Sequence, residues 1–171
     1  MSLIELMVAM VVLVVGMLAL MLLVSTSISG NNRNKLDTTG TMLAQTVIDG
    51  IAASSGTTFQ IKDCNSNPLT IGTTGVATSA GTGALVDSTT GNINWGGQTY
   101  AAVTPNYAMK YVSCGTTTGE QSTYEVRWNV RGLTNFTKLV TVSARQIGVP
   151  NTGGLPFYAP PITLRTIAGQ Q

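Results

Sequence analysis

The sequence predicts an α+β fold, with a long amino-terminal α-helix and a carboxyl-terminal antiparallel β-sheet head packed on the lower half of that helix. Residues 6–24 contain no polar side chain, and as a helix this stretch spans roughly 30 Å of hydrocarbon. A one-sided apolar stripe follows, and the last third of the chain alternates apolar and polar residues as strands do. We expect residues 1–24 to be a hydrophobic membrane helix, 25–54 its amphipathic continuation, and 55–171 a β-rich head.

The composition argues against enzymes and nucleic-acid binders. The chain has no His, so the usual general base and the usual transition-metal ligand are both absent. Its nine Lys and Arg residues are spread along the sequence and give a net charge of +2, without the clustered patch of a nucleic-acid groove. We expect no cofactor, no metal and no specific nucleic acid, and a Lys-based catalytic site is the alternative. The acidic residues of the head are scattered, and we expect them to be solvated: Asp63, Asp87, Glu120 and Glu125.

Glu5 is the one charged residue of the opening stretch and comes just before the apolar run. A carboxylate at the edge of a membrane-length segment is costly to place in hydrocarbon, so we expect it to be paired or functional. A secretory signal has a basic start, a shorter apolar core and a small-residue cleavage site. Here no Lys or Arg precedes residues 6–24, the apolar run is longer than such a core, and no Ala-x-Ala pattern follows it. We therefore expect a retained helix or membrane anchor rather than a cleaved signal.

The opening residues, Met1-Ser2-Leu3-Ile4-Glu5-Leu6 followed by the apolar run, resemble the processed amino terminus of type IV pilins. In that family, prepilin peptidase removes a short basic leader, and Glu is the fifth residue of the mature chain. Met1 stands where the family has its N-methylated first residue, so we expect the numbering to be that of the mature protein. The stretch VAMVVLVVGMLAL at residues 8–20 also resembles minor pilins of the modification type.

The resemblance implies a structural subunit of a pilus filament, with assembly residues Met1 and Glu5. Glu5 of one subunit would meet the amino group of Met1 of a neighbour as the helix leaves the inner membrane. The implied partners are identical subunits in a helical homopolymer, the inner membrane before assembly, prepilin peptidase and the pilus assembly machinery. The implied location is the inner membrane and then an extracellular filament that serves adhesion, motility or DNA uptake.

Two alternatives to a pilus subunit stay open. A pseudopilin of a type II secretion system shares the same amino terminus, although the sequence shows no evident acidic calcium-binding cluster near its end. A bitopic membrane protein with an extracytoplasmic binding head would also need an apolar helix.

The helix contains two glycines at which it could unwind in a filament. Many pilins carry Pro where this chain has Leu22, and Gly16 is the only weak helix residue within the apolar run. We expect any local melting to begin at Gly16 or further on at Gly30.

Beyond the apolar run, the helix continues as an amphipathic segment. We expect it to extend from about Ser2 to about Ala53 and to end at residues 54–56, which read Ser-Ser-Gly. One apolar stripe recurs at helical spacing and faces a partner on one side only: Leu36, Leu43, Val47, Ile48 and Ile51.

Strand patterns dominate the rest of the chain. The clearest prediction is a hairpin of Ser122–Leu133 and Phe136–Ile147 joined through Thr134-Asn135, with Tyr124 and Trp128 facing the lower helix. Further strands are predicted at residues 58–62, 107–114 and, as an edge strand, 162–168. Residues 67–90 read as a loop-rich surface excursion, and residues 148–161, rich in Pro and Gly, as a loop.

Cys64 and Cys114 lie fifty positions apart, after the apolar run. In a head outside the cytosol, an even and minimal cysteine count indicates one disulfide. By the loop-entropy relation a bridge that closes about fifty residues stabilises the fold by about 4 kcal/mol. Two free buried thiols are the alternative.

Overall fold

The amino-terminal helix α1 runs from Leu3 to Ala53 and contains 51 residues in the computed structural model, which describes residues 3–114, 121–147 and 160–169. These bounds confirm the predicted extent of the helix. Leu, Met and Ala, which favour helices, make up much of its first half. At its end the backbone N–H of Ser54 donates to the carbonyl oxygen of Gly50 at 3.0 Å, and the chain then turns toward the strands.

The chain divides into two units between Leu36 and Asp37. The described part of the first unit is helical throughout, and its stretch Leu3–Ile28 is long and apolar enough to cross a membrane by length and composition. The second unit contains the remainder of α1 and the strands. The observed architecture is α+β, as the sequence predicts.

Seven strands are present in the described residues of the second unit. They are β1 Thr58–Lys62, β2 Pro68–Gly72, β3 Thr82–Gly83, β4 Ala108–Val112, β5 Thr123–Gly132, β6 Thr137–Ile147 and β7 Ile162–Gly169. Strands β1 and β2 form a two-stranded antiparallel sheet. The other five form a second antiparallel sheet in which β5 pairs β6 and β6 pairs β7, while β3 and β4 pair the two ends of β5.

The core of the second unit lies between the end of α1 and one face of β5 and β6. The buried helix residues are Leu43, Ala44, Val47, Ile48 and Ile51, and the buried sheet residues include Tyr124, Val126, Trp128, Val130, Val140, Val142 and Ala144. The predicted stripe is confirmed from Leu43 to Ile51, and the side chain of Leu36 lies outside the described ones. Tyr124 meets α1 through a hydrogen bond with the side chain of Thr39. The indole N–H of Trp128 donates to the carbonyl oxygen of Gly72 at 3.0 Å.

The predicted hairpin is confirmed by the register of β5 and β6, in which Trp128 pairs with Val142. The predicted strands at 58–62, 107–114 and 162–168 are also confirmed, with ends shifted by at most two residues. Strand β7 lies at the end of its sheet, as an edge strand should. The predicted loop 148–161 lies outside the described residues except for residues 160 and 161.

The stretch 67–90 is less loop-like than predicted, because it contains β2 and β3. Pro68 is the first residue of β2, a position where a strand tolerates Pro because no ladder hydrogen bond requires its missing N–H. Pairing with β1 then supplies the regular hydrogen bonds that a Pro- and Gly-rich sequence does not suggest by itself. Strand β3 has only two residues, and it forms because it pairs with Asn129 and Val130 at the end of β5.

Candidate functional site

The stretch Leu3–Ile28 exposes an apolar surface on every side of the helix. Its large aliphatic side chains are all exposed, and Leu3 reaches 81%. Glu5 lies in the first turn and is the only charged residue between Leu3 and Ile28. Exposed apolar surface of this extent marks a region that another molecule or a membrane covers.

The structure describes Gly16 and Gly30, the residues predicted for helix melting, but not Met1, the other residue predicted for assembly. Met1 lies outside the described residues, so its pairing with Glu5 and its N-methylation stay predictions. Gly16 and Gly30 both lie within regular helix, and a Cβ atom at either position would have no neighbour within 4 Å. Melting at these glycines concerns a filament and also stays a prediction.

Cys64 and Cys114 form a disulfide in the structure, which agrees with the pairing expected from the cysteine count. The bridge joins the β1–β2 turn to the end of β4. Beside it the backbone N–H of Cys64 donates to the carbonyl oxygen of Val112 at 3.1 Å. The two-stranded sheet is therefore tied to the larger sheet at this end by one covalent bond and one hydrogen bond.

The prediction that Asp63 is solvated is wrong. Its side chain is buried, and its carboxylate accepts the backbone N–H groups of Asn65 at 2.9 Å and Asn67 at 2.8 Å. The amide group of Asn67 donates to the other carboxylate oxygen at 3.1 Å. Asp63 thus closes the β1–β2 turn by satisfying donors that the turn leaves free.

The prediction for Glu125 is wrong as well, because the outer face of β5 and β6 is charged and buried. Glu125 is only 4% exposed and Arg127 only 2%. One oxygen of Glu125 lies 2.6 Å from the Arg127 guanidinium, and the other accepts from Arg145 at 3.0 Å. Arg127 also donates to the carbonyl oxygen of Gln98 at 2.6 Å. Two cations therefore share one carboxylate beneath a covering loop.

Trp95 belongs to the loop that covers these charges. The guanidinium of Arg127 lies 4.6 Å from the centre of the Trp95 ring and that of Arg145 lies 4.2 Å from it, distances suited to cation–π attraction. The indole N–H donates to the hydroxyl of Ser143 at 3.0 Å, which places the ring over β6. The loop thus supplies the cover that this half of the sheet needs.

Asp87 and Glu120 are the other two acidic residues for which the sequence predicts solvation. Asp87 is partly exposed, but its carboxylate accepts the backbone N–H groups of Thr89 and Thr90 at 2.7 and 2.9 Å, which hold the pKa of Asp87 below its ordinary value. Glu120 lies outside the described residues.

Lys138 is a buried cation in β6, at alternate positions with the buried Val140 and Val142. It is 5% exposed, and its ammonium donates one long hydrogen bond of 3.4 Å to the carbonyl oxygen of Thr73. Burial lowers the pKa of Lys138 from its usual value, because removal from water disfavours the charged form.

The described residues bring no three of His, Cys, Asp and Glu together in a group that could hold a metal ion. Comparison with known proteins adds no further assignment, since no family model, no curated protein and no solved structure matches the chain. The candidate functional surface is therefore the apolar stretch Leu3–Ile28 with its single carboxylate.

Proposed function

We propose that this protein is a structural subunit of an extracellular type IV pilus, held in the inner membrane before assembly and supporting adhesion, motility or DNA uptake. The observation that carries the proposal is the fully exposed apolar stretch Leu3–Ile28 with Glu5 as its only charged residue. The opening sequence resembles that of mature type IV pilins, as described above. The role is structural rather than enzymatic.

The exposed side chains of this stretch require a cover in any state of the protein. Burial of one large aliphatic side chain contributes about 1.5 to 3 kcal/mol, so the surface of Leu3–Ile28 strongly favours lipid or protein over water. Lipid provides that cover before assembly. In a filament, the same helices of neighbouring subunits would provide it, and their packing would hold the polymer together.

Glu5 gives this apolar contact a register. No other side chain between Leu3 and Ile28 can be charged, so a counter-charge has to come from outside the stretch. A carboxylate moved from water to an apolar environment needs a partner. We propose the α-amino group of Met1 of a neighbouring subunit, which N-methylation would leave positively charged. Prepilin peptidase and the pilus assembly machinery would act before and during this step.

The experiment is to shear surface filaments from cells that produce the protein and to determine the first residue by mass spectrometry. An N-methylated Met1 in a long fibre supports the proposal. If the protein is membrane-bound and absent from every sheared fibre, the proposal is wrong. Short fibres that stay in the cell envelope would point to a pseudopilin, and a monomer would point to a bitopic receptor.

Variants of Glu5 test the register directly. We expect Glu5→Ala and Glu5→Gln to reach the membrane at normal levels and to be depleted from filaments, because each removes the charge that pairs with the neighbour's amine. Ile4→Leu is the matched control, since it changes the adjacent exposed residue without altering charge, and it should enter filaments normally. Entry of Glu5→Ala at the frequency of the unaltered protein would refute the role of Glu5.

A further inference from the structure

The turn between β5 and β6 carries a three-residue pattern that the proposed function does not use. At Asn135-Phe136-Thr137, and nowhere else in the chain, an Asn is followed two residues later by Ser or Thr with no Pro between them. This pattern, called a sequon, is the acceptor signal for N-linked glycosylation of surface loops in secreted proteins. Because a sequon is short, its meaning depends on how the fold presents it.

The turn holds its shape without help from the Asn135 side chain. The backbone N–H groups of Leu133 and Thr134 both donate to the carbonyl oxygen of Thr137, at 2.9 and 3.2 Å. The hydroxyl oxygens of Thr134 and Thr137 lie 2.7 Å apart, and the N–H of Phe136 donates to the Thr134 hydroxyl at 3.1 Å. A group attached to Asn135 would therefore break none of these bonds.

The amide group of Asn135 is accessible. Asn135 is exposed, and its side chain has no hydrogen-bond partner among the residues that the structure describes. Asn129 of β5 provides the contrast, because it is buried and its amide donates to the carbonyl oxygens of Ala80 and Ala84 at 2.9 and 2.8 Å. An enzyme could reach the amide nitrogen of Asn135 in the folded head.

The neighbours of Asn135 expose apolar surface. Phe136 is 75% exposed and Leu133 is 43% exposed. A saccharide on Asn135 would be a bulky, soluble group next to the Phe136 ring, and it would shield part of this surface from water. The turn thus combines a free acceptor amide with apolar side chains that a sugar would help to cover.

The turn is also well separated from the contact between the sheet and α1. Tyr124, near the start of β5, bonds to Thr39 of α1, whereas the turn follows the far end of this strand. A strand of 10 residues is about 30 Å long. Modification of the turn would therefore leave the packing of the sheet on the helix intact.

We propose that Asn135 is N-glycosylated outside the cytosol, with a saccharide linked to a polyprenyl diphosphate as the donor. The amide nitrogen of Asn135 forms a bond to the anomeric carbon of the saccharide. The bond from that carbon to the diphosphate oxygen breaks, and its electron pair leaves with the polyprenyl diphosphate. The amide loses one proton to a base of the transferase.

The modification requires only that the head lies outside the cytosol, a location that it shares with the proposed function. The disulfide between Cys64 and Cys114 is of the kind that persists in that environment. A filament is not required. A glycosylated chain that never enters filaments would contradict the pilus proposal alone, and an unmodified chain in filaments would contradict the glycosylation alone.

The test is peptide mass spectrometry of the full chain, isolated from the membrane fraction of the cells that naturally produce it. Trypsin cleaves after Arg131 and Lys138 and releases residues 132–138 as one peptide. Fragmentation by electron transfer keeps a sugar attached, so it separates a saccharide on Asn135 from one on Thr134 or Thr137. We expect the saccharide on Asn135.

Two threonine variants provide a matched pair. Thr134→Val and Thr137→Val each remove the hydrogen bond between the two hydroxyl groups, but only Thr137 belongs to the sequon. We expect Thr137→Val to lose the saccharide, and Thr134→Val to retain it. Thr137→Ser restores the sequon and should retain it as well. Asn135→Gln should lose the saccharide while the protein reaches the membrane at normal levels.

Three results would overturn the proposal. They are recovery of the peptide 132–138 in unmodified form only, a saccharide on Thr134 or Thr137 instead of Asn135, and a saccharide that persists in Thr137→Val. If a valine variant fails to fold, the location of the saccharide in the unaltered protein still decides.

Discussion

The amino-terminal stretch Leu3–Ile28 exposes apolar side chains, whereas the outer face of strands β5 and β6 buries charged ones. The first is apolar and exposed along its whole length, whereas the second carries Glu125, Arg127 and Arg145 beneath a covering loop. Each is unusual, because water favours the reverse arrangement in both cases. The charged face is made stable by partners within its own chain.

The two regions differ in whether other residues of the same chain shield them from water. Trp95 and the carbonyl oxygen of Gln98 cover the charged face from within the same unit. The described part of the chain places nothing over Leu3–Ile28. The charged face is therefore covered within the described residues, whereas the exposed apolar surface of Leu3–Ile28 is of the kind that a membrane or another molecule covers.

The largest effect is expected for the buried carboxylate. Glu125→Gln leaves Arg127 buried without its counter-charge, and we expect it to lower the free energy of unfolding by about 3 to 5 kcal/mol. The measurement is urea unfolding of the full chain in detergent micelles at pH 7, followed by tryptophan fluorescence. Glu5→Gln, the same change at an exposed position, should alter head stability by less than about 0.5 kcal/mol. Equal effects of the two changes would contradict the comparison.

A matched pair of isoleucines on the same helix should differ nearly as much. Ile51 is fully buried and Ile28 is exposed. Ile51→Ala should cost the head about 2 to 5 kcal/mol, since it removes apolar contacts and leaves a cavity. Ile28→Ala should leave the urea midpoint of the head unchanged. A shift of that midpoint by Ile28→Ala would show that the exposed stretch stabilises the head.

A pair of helical glycines should respond with opposite signs. A Cβ atom at Gly50 would overlap the Phe59 ring, whereas at Gly16 it would meet nothing within 4 Å. We expect Gly50→Ala to destabilise the head by about 1 to 3 kcal/mol through overpacking. Gly16→Ala should stabilise the helix by about 1 kcal/mol, measured as slower hydrogen exchange of the amides around residue 16. Faster exchange in Gly16→Ala would refute the view that Gly16 is its weak point.

The smallest effect is a pH dependence from Lys138. Its pKa is lowered by burial in the folded state, so between that pKa and the usual value near 10.5 the unfolded chain binds more protons. Stability from this group therefore rises as the pH increases through that window. Lys138→Met should be more stable than the unaltered protein at pH 7, and the difference should shrink toward pH 10. Urea unfolding at several pH values measures it, and a constant difference would contradict the lowered pKa.

Much of the fold could be predicted because it depends on local patterns. The apolar run and the stripe from Leu43 to Ile51 have helical spacing, and the alternation through Tyr124 and Trp128 has the period of a strand. These patterns reflect which side of an element is buried. The local pattern does not predict strand β2, because a sequence with Pro68 and Gly72 forms a strand only where β1 pairs with it.

The burial of the charged face could not be predicted from the strand alternation alone. Polar residues opposite an apolar face usually face water, so the alternation predicts a solvated Glu125. Their cover comes from Trp95, which is some thirty residues away in sequence and lies in a stretch without regular structure. The available signal was a Trp in a polar loop together with opposite charges at alternate positions of one strand, and the fold alone brings them together.

The most direct test of the central claim is to find what covers the apolar stretch before and after assembly. A photo-cross-linking amino acid placed at Leu13 should react with lipid when the protein is in the membrane fraction. In sheared filaments the same position should react with other copies of the chain and give dimers of the protein. Cross-links to lipid alone, with no chain-to-chain product in any surface filament, would contradict the claim that this stretch is covered by its own copies.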